Sequence, residues 1–224
     1  PGLLKQLEGW CRERDVFLIL DEVMTGFGRT GRMFACEHEG VIPDFLCLAK
    51  GLTGGYLPMA ATLTTKKVFD TFLGRYDEFK TFFHGHSFTG NQLGAAAALA
   101  SLEILQSKES IRSREVLHQT LAEELKSLWS LPNVGDIRQV GLVVGVELVR
   151  DWRTRTPFPL QERAGIRVCE AMARRGVLTR PIGNVIVLMP PYCTTPKQVR
   201  RMVEVLAEAI SEVFRPKVSR RGNG

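Results

Sequence analysis

Apolar positions along this chain change their spacing about halfway, and the change divides the chain into two textures. Leu3, Leu4, Leu7, Trp10 and Cys11 recur at helical intervals, so Gly2–Arg14 is expected to be an amphipathic helix. Val16–Leu20 is an unbroken apolar run that stops at Asp21, the pattern of a strand buried on both faces of a parallel sheet. Asp44–Ala49 is a second such run and stops at Lys50; Leu57–Thr64, after the Gly54-Gly55 turn, is a third. Lys66–Leu73 reads as a helix, and so does the alanine-rich stretch Asn91–Gln106.

Beyond Gln106 the texture differs. Ile111–Ser130 is a charged amphipathic helix, Asp136–Val149 alternates like an antiparallel strand, and Gln161–Arg174 is helical again. Val185–Met189 is a short strand, and Pro196–Phe214 a final helix with proline at its start. The first half is therefore α/β and the second α+β, with the change placed near Gln106–Ser113. Two or three buried strands are few for a parallel sheet, which averages about five or six. The first half is accordingly expected to be part of a larger domain.

Composition adds limits. Hydrophobic residues at 44% and charged residues at 24% are ordinary for a globular protein and exclude a disordered or fibrous one. No apolar run approaches the ~18 residues that would span a bilayer, and no secretory leader is expected at Pro1–Lys5. Of the net charge of +6, Arg215, Lys217, Arg220 and Arg221 supply four, so residues 215–224 form a basic tail on a nearly neutral body. A nucleic-acid partner would call for a basic face with interleaved aromatics, and none is visible. Cys11, Cys36, Cys47, Cys169 and Cys193 are odd in number and form no CxxC, which suits reduced thiols in the cytoplasm. Neither His84 with His86 nor Cys36, His38 and Cys47 has the paired spacing of a zinc site, so no metal is expected. Trp10 and Trp129 fall on apolar helical faces and read as core.

Asp21 and Lys50 hold equivalent places, each at the end of an apolar run. In open α/β sheets, ligands sit at the carboxyl ends of strands. Taken singly, Asp21 could cap the next segment and Lys50 could reach to solvent; together they could form a salt bridge. They also match what pyridoxal phosphate requires: a desolvated amine for its aldehyde, and a carboxylate facing its pyridine nitrogen. The glycines of Gly26-Phe27-Gly28 and of Gly51–Gly55 match neither GxxxxGK[ST] nor GxGxxG, and they are read as allowing close backbone approach to a cofactor.

The words Leu18–Gly31 and Pro43–Tyr56 closely resemble the class III (fold type I) pyridoxal-phosphate aminotransferases. Phe34–Gly40, Ala60–Thr65, Phe83–Leu93 and Leu188–Tyr192 resemble the branch that converts 8-amino-7-oxononanoate to 7,8-diaminononanoate in biotin synthesis. The resemblance runs from about Leu3 to Phe214. It implies a partial fold-type I large domain over residues 1–108, and an α+β small domain over 109–214. It implies pyridoxal 5'-phosphate as cofactor and S-adenosylmethionine as amino donor, lysine replacing it in some relatives.

Residue by residue, the resemblance makes Lys50 the amine that joins the cofactor aldehyde and later shuttles the proton. It makes Asp21 the partner of the pyridinium nitrogen and Val23 the apolar residue on the ring face. Gly85 would line the substrate pocket, while His86 and Ser87 would reach across a homodimer interface to the cofactor phosphate. Arg180 would hold the substrate carboxylate with its guanidinium fork. The class places its phosphate-binding loop and its ring-stacking aromatic upstream of the aspartate strand. The chain is therefore expected to be the C-terminal portion of a longer enzyme, and to bind cofactor poorly alone. A related ω-aminotransferase acting on 4-aminobutyrate or acetylornithine is the alternative, and a non-catalytic oligomerisation module is another.

Overall fold

The computed structural model describes residues 1–215, so most of the basic tail lies outside the described residues. Two compact units make up the chain, the first ending at Arg112 and the second beginning at Ser113. The architecture is α/β followed by α+β.

The first unit opens with helix α1 (Leu3–Glu13) and a three-stranded sheet of β1 (Ile19–Asp21), β2 (Phe45–Leu48) and β3 (Ala61–Thr64). β1 and β2 are parallel, with Ile19 opposite Phe45 and Asp21 opposite Cys47. β3 pairs with β2 in the antiparallel sense. Helices α2 (Lys66–Asp70) and α3 (Gln92–Gln106) follow. The apolar runs Val16–Leu20 and Asp44–Ala49 give shorter strands than their lengths suggest, and these strands are not covered on both faces. Leu18 and Leu48 are buried, whereas Phe17 and Ile19 face outward. Cys11 of α1 joins Leu18, Cys36 and Val41 in one small cluster, so α1 covers a single side.

Asp44 ties this layer together. Its carboxylate accepts from the Leu18 N–H at 2.8 Å and from the Arg12 guanidinium at 2.7 Å. Burial opposes the charge, but those two donors outweigh it and hold Asp44 below the usual carboxylate range.

The second unit holds a β4-β5-β8-β7 antiparallel sheet of β4 (Val134–Val140), β5 (Val143–Asp151), β8 (Val185–Leu188) and β7 (Pro181–Ile182), with β6 (Thr156–Pro157) pairing with β5. Its helices are α4 (Lys108–Leu125), α5 (Ala164–Ala173) and α6 (Pro196–Val213), α4 beginning just before the division. Asp136–Val149 is thus two strands, not one. Val140 pairs with Val143 across a two-residue turn, and Gly141 takes φ +58° there, a conformation that favours glycine. Leu121, Leu128, Val146, Leu148, Ile186 and Leu206 meet in the core with essentially no exposure. α6 starts where a capping box and a proline at its first turn start it: Thr195 accepts from the Gln198 N–H, and Gln198 accepts from the Thr195 N–H.

Trp10 and Trp129 are about half exposed and are not core residues. The Arg14 guanidinium covers the Trp10 ring at 4.8 Å, and Trp129 falls in the 3-10 segment Lys126–Ser130 that ends α4. The buried positions on these segments are instead Cys11 and Leu128.

Candidate active site

Asp21 is the last residue of β1, and its Oδ1 accepts from the Val23 N–H at 2.9 Å. The chain then turns, with the Glu22 N–H donating to the Cys47 carbonyl at 3.0 Å. Lys50 follows β2 after one intervening residue, Ala49, and starts a 3-10 turn, Lys50–Leu52. Because β1 and β2 run parallel, Asp21 and Lys50 leave the sheet at the same edge, and both are exposed there.

Glu22 shapes the loop between the two strands. Buried to 3% exposure, its carboxylate accepts from the Ala35 N–H at 2.6 Å, the Cys36 N–H at 2.7 Å and the Thr25 hydroxyl at 3.0 Å. Phe27, at φ +60°, folds back into the interior and meets Phe34 edge-on at 5.7 Å. Gly51 lies against it: a β-carbon on Gly51 would fall 2.8 Å from the Phe27 Cβ. One at Gly26 would fall 2.8 Å from the Glu22 carbonyl. Gly26 and Gly51 therefore serve close approach within the protein itself.

Lys50 lines a cavity of about 1170 Å³, shared with Thr53, His84, His86, Phe88 and Thr89. His86 is held by its own loop, donating its N–H to the Thr89 hydroxyl at 2.9 Å and accepting at Nδ1 from the Phe88 N–H at 3.2 Å. Lys50 and His86 thus come together in one cavity. Asp21, half-buried Val23, Gly85 and Ser87 lie outside that lining: the first two on the adjacent strand end and its loop, the last two beside His86. An amine, a neighbouring carboxylate and a set of hydroxyls form a donor set suited to an aromatic aldehyde that carries a phosphate. Among the described residues no cluster of metal-ligating side chains occurs, and no helix is long and apolar enough to cross a membrane.

Arg180 belongs to the second unit. It lines a cavity of about 860 Å³ whose walls include Leu178, Val187, Met189 and Pro190, an apolar trough with an exposed guanidinium on its rim. Both flanks of Arg180 are fixed. The Thr179 hydroxyl donates to the Val187 carbonyl, and Pro181 packs where Gly165 of α5 lacks a side chain. Arg201 lines the same trough but is engaged by Glu204 at 3.5 Å and Glu208 at 3.1 Å.

Three residues that organise the site were not legible beforehand: Glu22, Phe27 and Ser101, whose Oγ donates to the Gly51 carbonyl at 3.0 Å. A carboxylate inside a buried-strand motif was the one available signal, for Glu22.

An α/β unit followed by an α+β unit is the two-domain architecture of class-III, fold-type I aminotransferases. The family model for class-III aminotransferases matches residues 1–210, and the chain belongs to that family. Relatives include the adenosylmethionine-8-amino-7-oxononanoate aminotransferase of Anoxybacillus flavithermus, 53% identical over 94% of this chain and 46% of that protein. The Methanocaldococcus jannaschii enzyme of the same name is 48% identical over 94% of this chain and 47% of its own length. Its crystal structure superposes with a TM-score of 0.88, over 94% of this chain and 49% of that one. A PMP-bound aminotransferase from Vibrio fluvialis superposes at 0.87 with 28% identity, over 95% of this chain and 47% of that one. The chain spans about half the length of the curated relatives it matches.

Proposed function

We propose that this chain carries the lysine half of a pyridoxal-phosphate-dependent aminotransferase that converts 8-amino-7-oxononanoate to 7,8-diaminononanoate in biotin synthesis. S-adenosylmethionine is the amino donor in this reading. The observation that carries it is the parallel register of β1 and β2, from which Asp21 and Lys50 leave at one edge. Relatives that are 39–53% identical and share one enzyme name support the choice of substrate.

In this reading the bound cofactor supplies an electron-withdrawing ring that stabilises negative charge on the substrate carbon. Asp21 would partner the ring nitrogen and keep it protonated, since a carboxylate favours a cation beside it. Val23 provides an apolar wall for the ring. Lys50 would hold the cofactor through its amine, and its Nζ would take up a proton at one carbon and return it at another. His86 and Ser87 hold the phosphate of a neighbouring subunit in a cytosolic homodimer, and Gly85 leaves room for substrate. Arg180 grips the substrate carboxylate, with the apolar trough beside it accommodating an aliphatic chain.

The test uses the full-length gene product supplied with pyridoxal phosphate. Formation of 7,8-diaminononanoate, followed by mass spectrometry with S-adenosylmethionine or lysine as donor, is the expected result. No such product, together with turnover of 4-aminobutyrate or acetylornithine, overturns the substrate assignment. Borohydride should fix the cofactor to a peptide containing Lys50, and Lys50→Ala should abolish that adduct. Absence of any adduct in the wild type leaves an oligomerisation module.

A further inference from the structure

Lys50 sits at φ +47°, in the left-handed region, where its Cβ crowds the backbone. Such a conformation persists where the surroundings hold it. The turn's own bonds are local: Thr53 N–H donates to the Lys50 carbonyl at 3.3 Å, and Gly54 N–H to the Gly51 carbonyl at 3.2 Å. A more distant tie comes from α3. Gly94, Ala98, Ser101 and Leu105 form its inward stripe at helical spacing, and small side chains there let the helix approach the Lys50 loop closely. A β-carbon on Gly94 would meet the Met59 Sδ at 3.3 Å. Two turns further on, the Ser101 Oγ donates to the Gly51 carbonyl at 3.0 Å, across 50 residues of sequence.

Gly51 is thus held at two points, its α-carbon against the Phe27 side chain and its carbonyl by the Ser101 hydroxyl. The geometry points to Ser101 as a positioning residue that holds the Lys50–Gly51 turn in its left-handed form and so aims the Lys50 amine. The inference rests on the reading of Lys50 as the amine that meets the cofactor aldehyde. Ser101 touches neither partner in that reaction. Its hydroxyl fixes the Gly51–Leu52 peptide, one unit beyond Lys50, and so limits the relaxation of the turn that would swing the amine away. Misplacing a reacting group by about 1 Å can cost as much as 100-fold in rate.

The experiment compares wild type with Ser101→Ala, Ser101→Thr and Ser101→Val in the full-length protein. Two readouts are used: the rate at which pyridoxal phosphate becomes borohydride-fixed on Lys50, and hydrogen exchange at the Thr53 and Gly54 amides. In the fixed reaction the amine condenses with the aldehyde and releases water, and borohydride then reduces the new C=N bond. Ser101→Ala and Ser101→Val should slow fixation by about tenfold and speed exchange, while Ser101→Thr keeps both near wild type. Threonine and valine match in size, so that pair isolates the hydroxyl even if the alanine variant melts early. Wild-type fixation and exchange in Ser101→Val overturn the inference. If wild type gives no Lys50 adduct, the cofactor reading fails instead, and hydrogen exchange still decides whether Ser101 holds the turn.

Discussion

The Glu22 carboxylate meets the Cys36 N–H at 2.7 Å, closing a loop between residues 14 apart in sequence that begins beside Asp21. The neighbouring Ala35 N–H donates to the same side chain at 2.6 Å. Both donors lie where water does not readily replace the acceptor. Glu22→Ala should therefore destabilise the first unit by about 1–3 kcal/mol for each donor stranded. Glu22→Gln should cost less, since its amide keeps one accepting oxygen. Urea unfolding midpoints of the two variants check the order, and equal midpoints would remove Glu22 from the role of loop anchor.

Thiol chemistry gives an independent reading of the same region. Burial, with Glu22 next in effect, pushes the Cys36 thiol up to about 11; burial, with Glu170 beside it, pushes Cys169 up to about 11. Cys193 is exposed. Since the thiolate is the nucleophile, iodoacetamide at pH 8 should label Cys193 well before Cys36 or Cys169, as followed by peptide mass spectrometry. Folded Cys36 and Cys169 keep their protons at pH values where unfolded thiols lose them. Unfolding then releases protons, so stability should fall as pH rises from about 9 toward 11. Early labelling of Cys36 in folded protein would contradict its burial.

Asp44 sets the acid limit. Its folded carboxyl is lowered by the Leu18 N–H and Arg12, against the opposing effect of burial. The unfolded chain therefore binds more protons than the folded one in the acid range, and stability rises with pH there. The contribution is complete above the unfolded value near 4 and is lost as pH falls through the lower folded value. Wild type should lose melting temperature steeply below about pH 4, and Asp44→Asn should start lower and show a shallower slope. Parallel slopes for the two proteins would exclude Asp44 as the sensor.

Much of this arrangement was legible because strand ends announce themselves. An apolar run that stops at Asp21, and another that stops at Lys50, define a sheet edge before any coordinates are known. The hairpin at Gly141-Leu142 was not legible, because alternation continues smoothly across a two-residue turn that lacks an Asn-Gly or Asp-Gly signal. Glu22 reads as one more loop acid beside Asp21, and nothing local marks the backbone donors it meets thirteen and fourteen residues later. Ser101 hides within an alanine-rich helix, where a small polar residue is ordinary. Its role depends on a partner 50 residues away.

Arg180 allows affinity and architecture to be separated. Its side chain is exposed, so Arg180→Lys should leave the melting temperature unchanged. Lysine keeps the charge but not the planar fork, and a lost bond to a charged group is worth about 1.5–3 kcal/mol. If the proposed substrate is the right one, its KM should accordingly rise about 10- to 100-fold, with kcat little altered. Gly165→Ala makes the opposite comparison. Its new β-carbon would fall 2.7 Å from the Pro181 Cβ and press on the Gly183 carbonyl, forcing α5 away from β7. That overpacking should cost about 1–3 kcal/mol in stability, measured by thermal melting, and raise KM as well because Pro181 follows Arg180 directly. A lysine variant that binds the substrate as tightly as wild type would show that the guanidinium holds no carboxylate, whatever Gly165→Ala does to the melt.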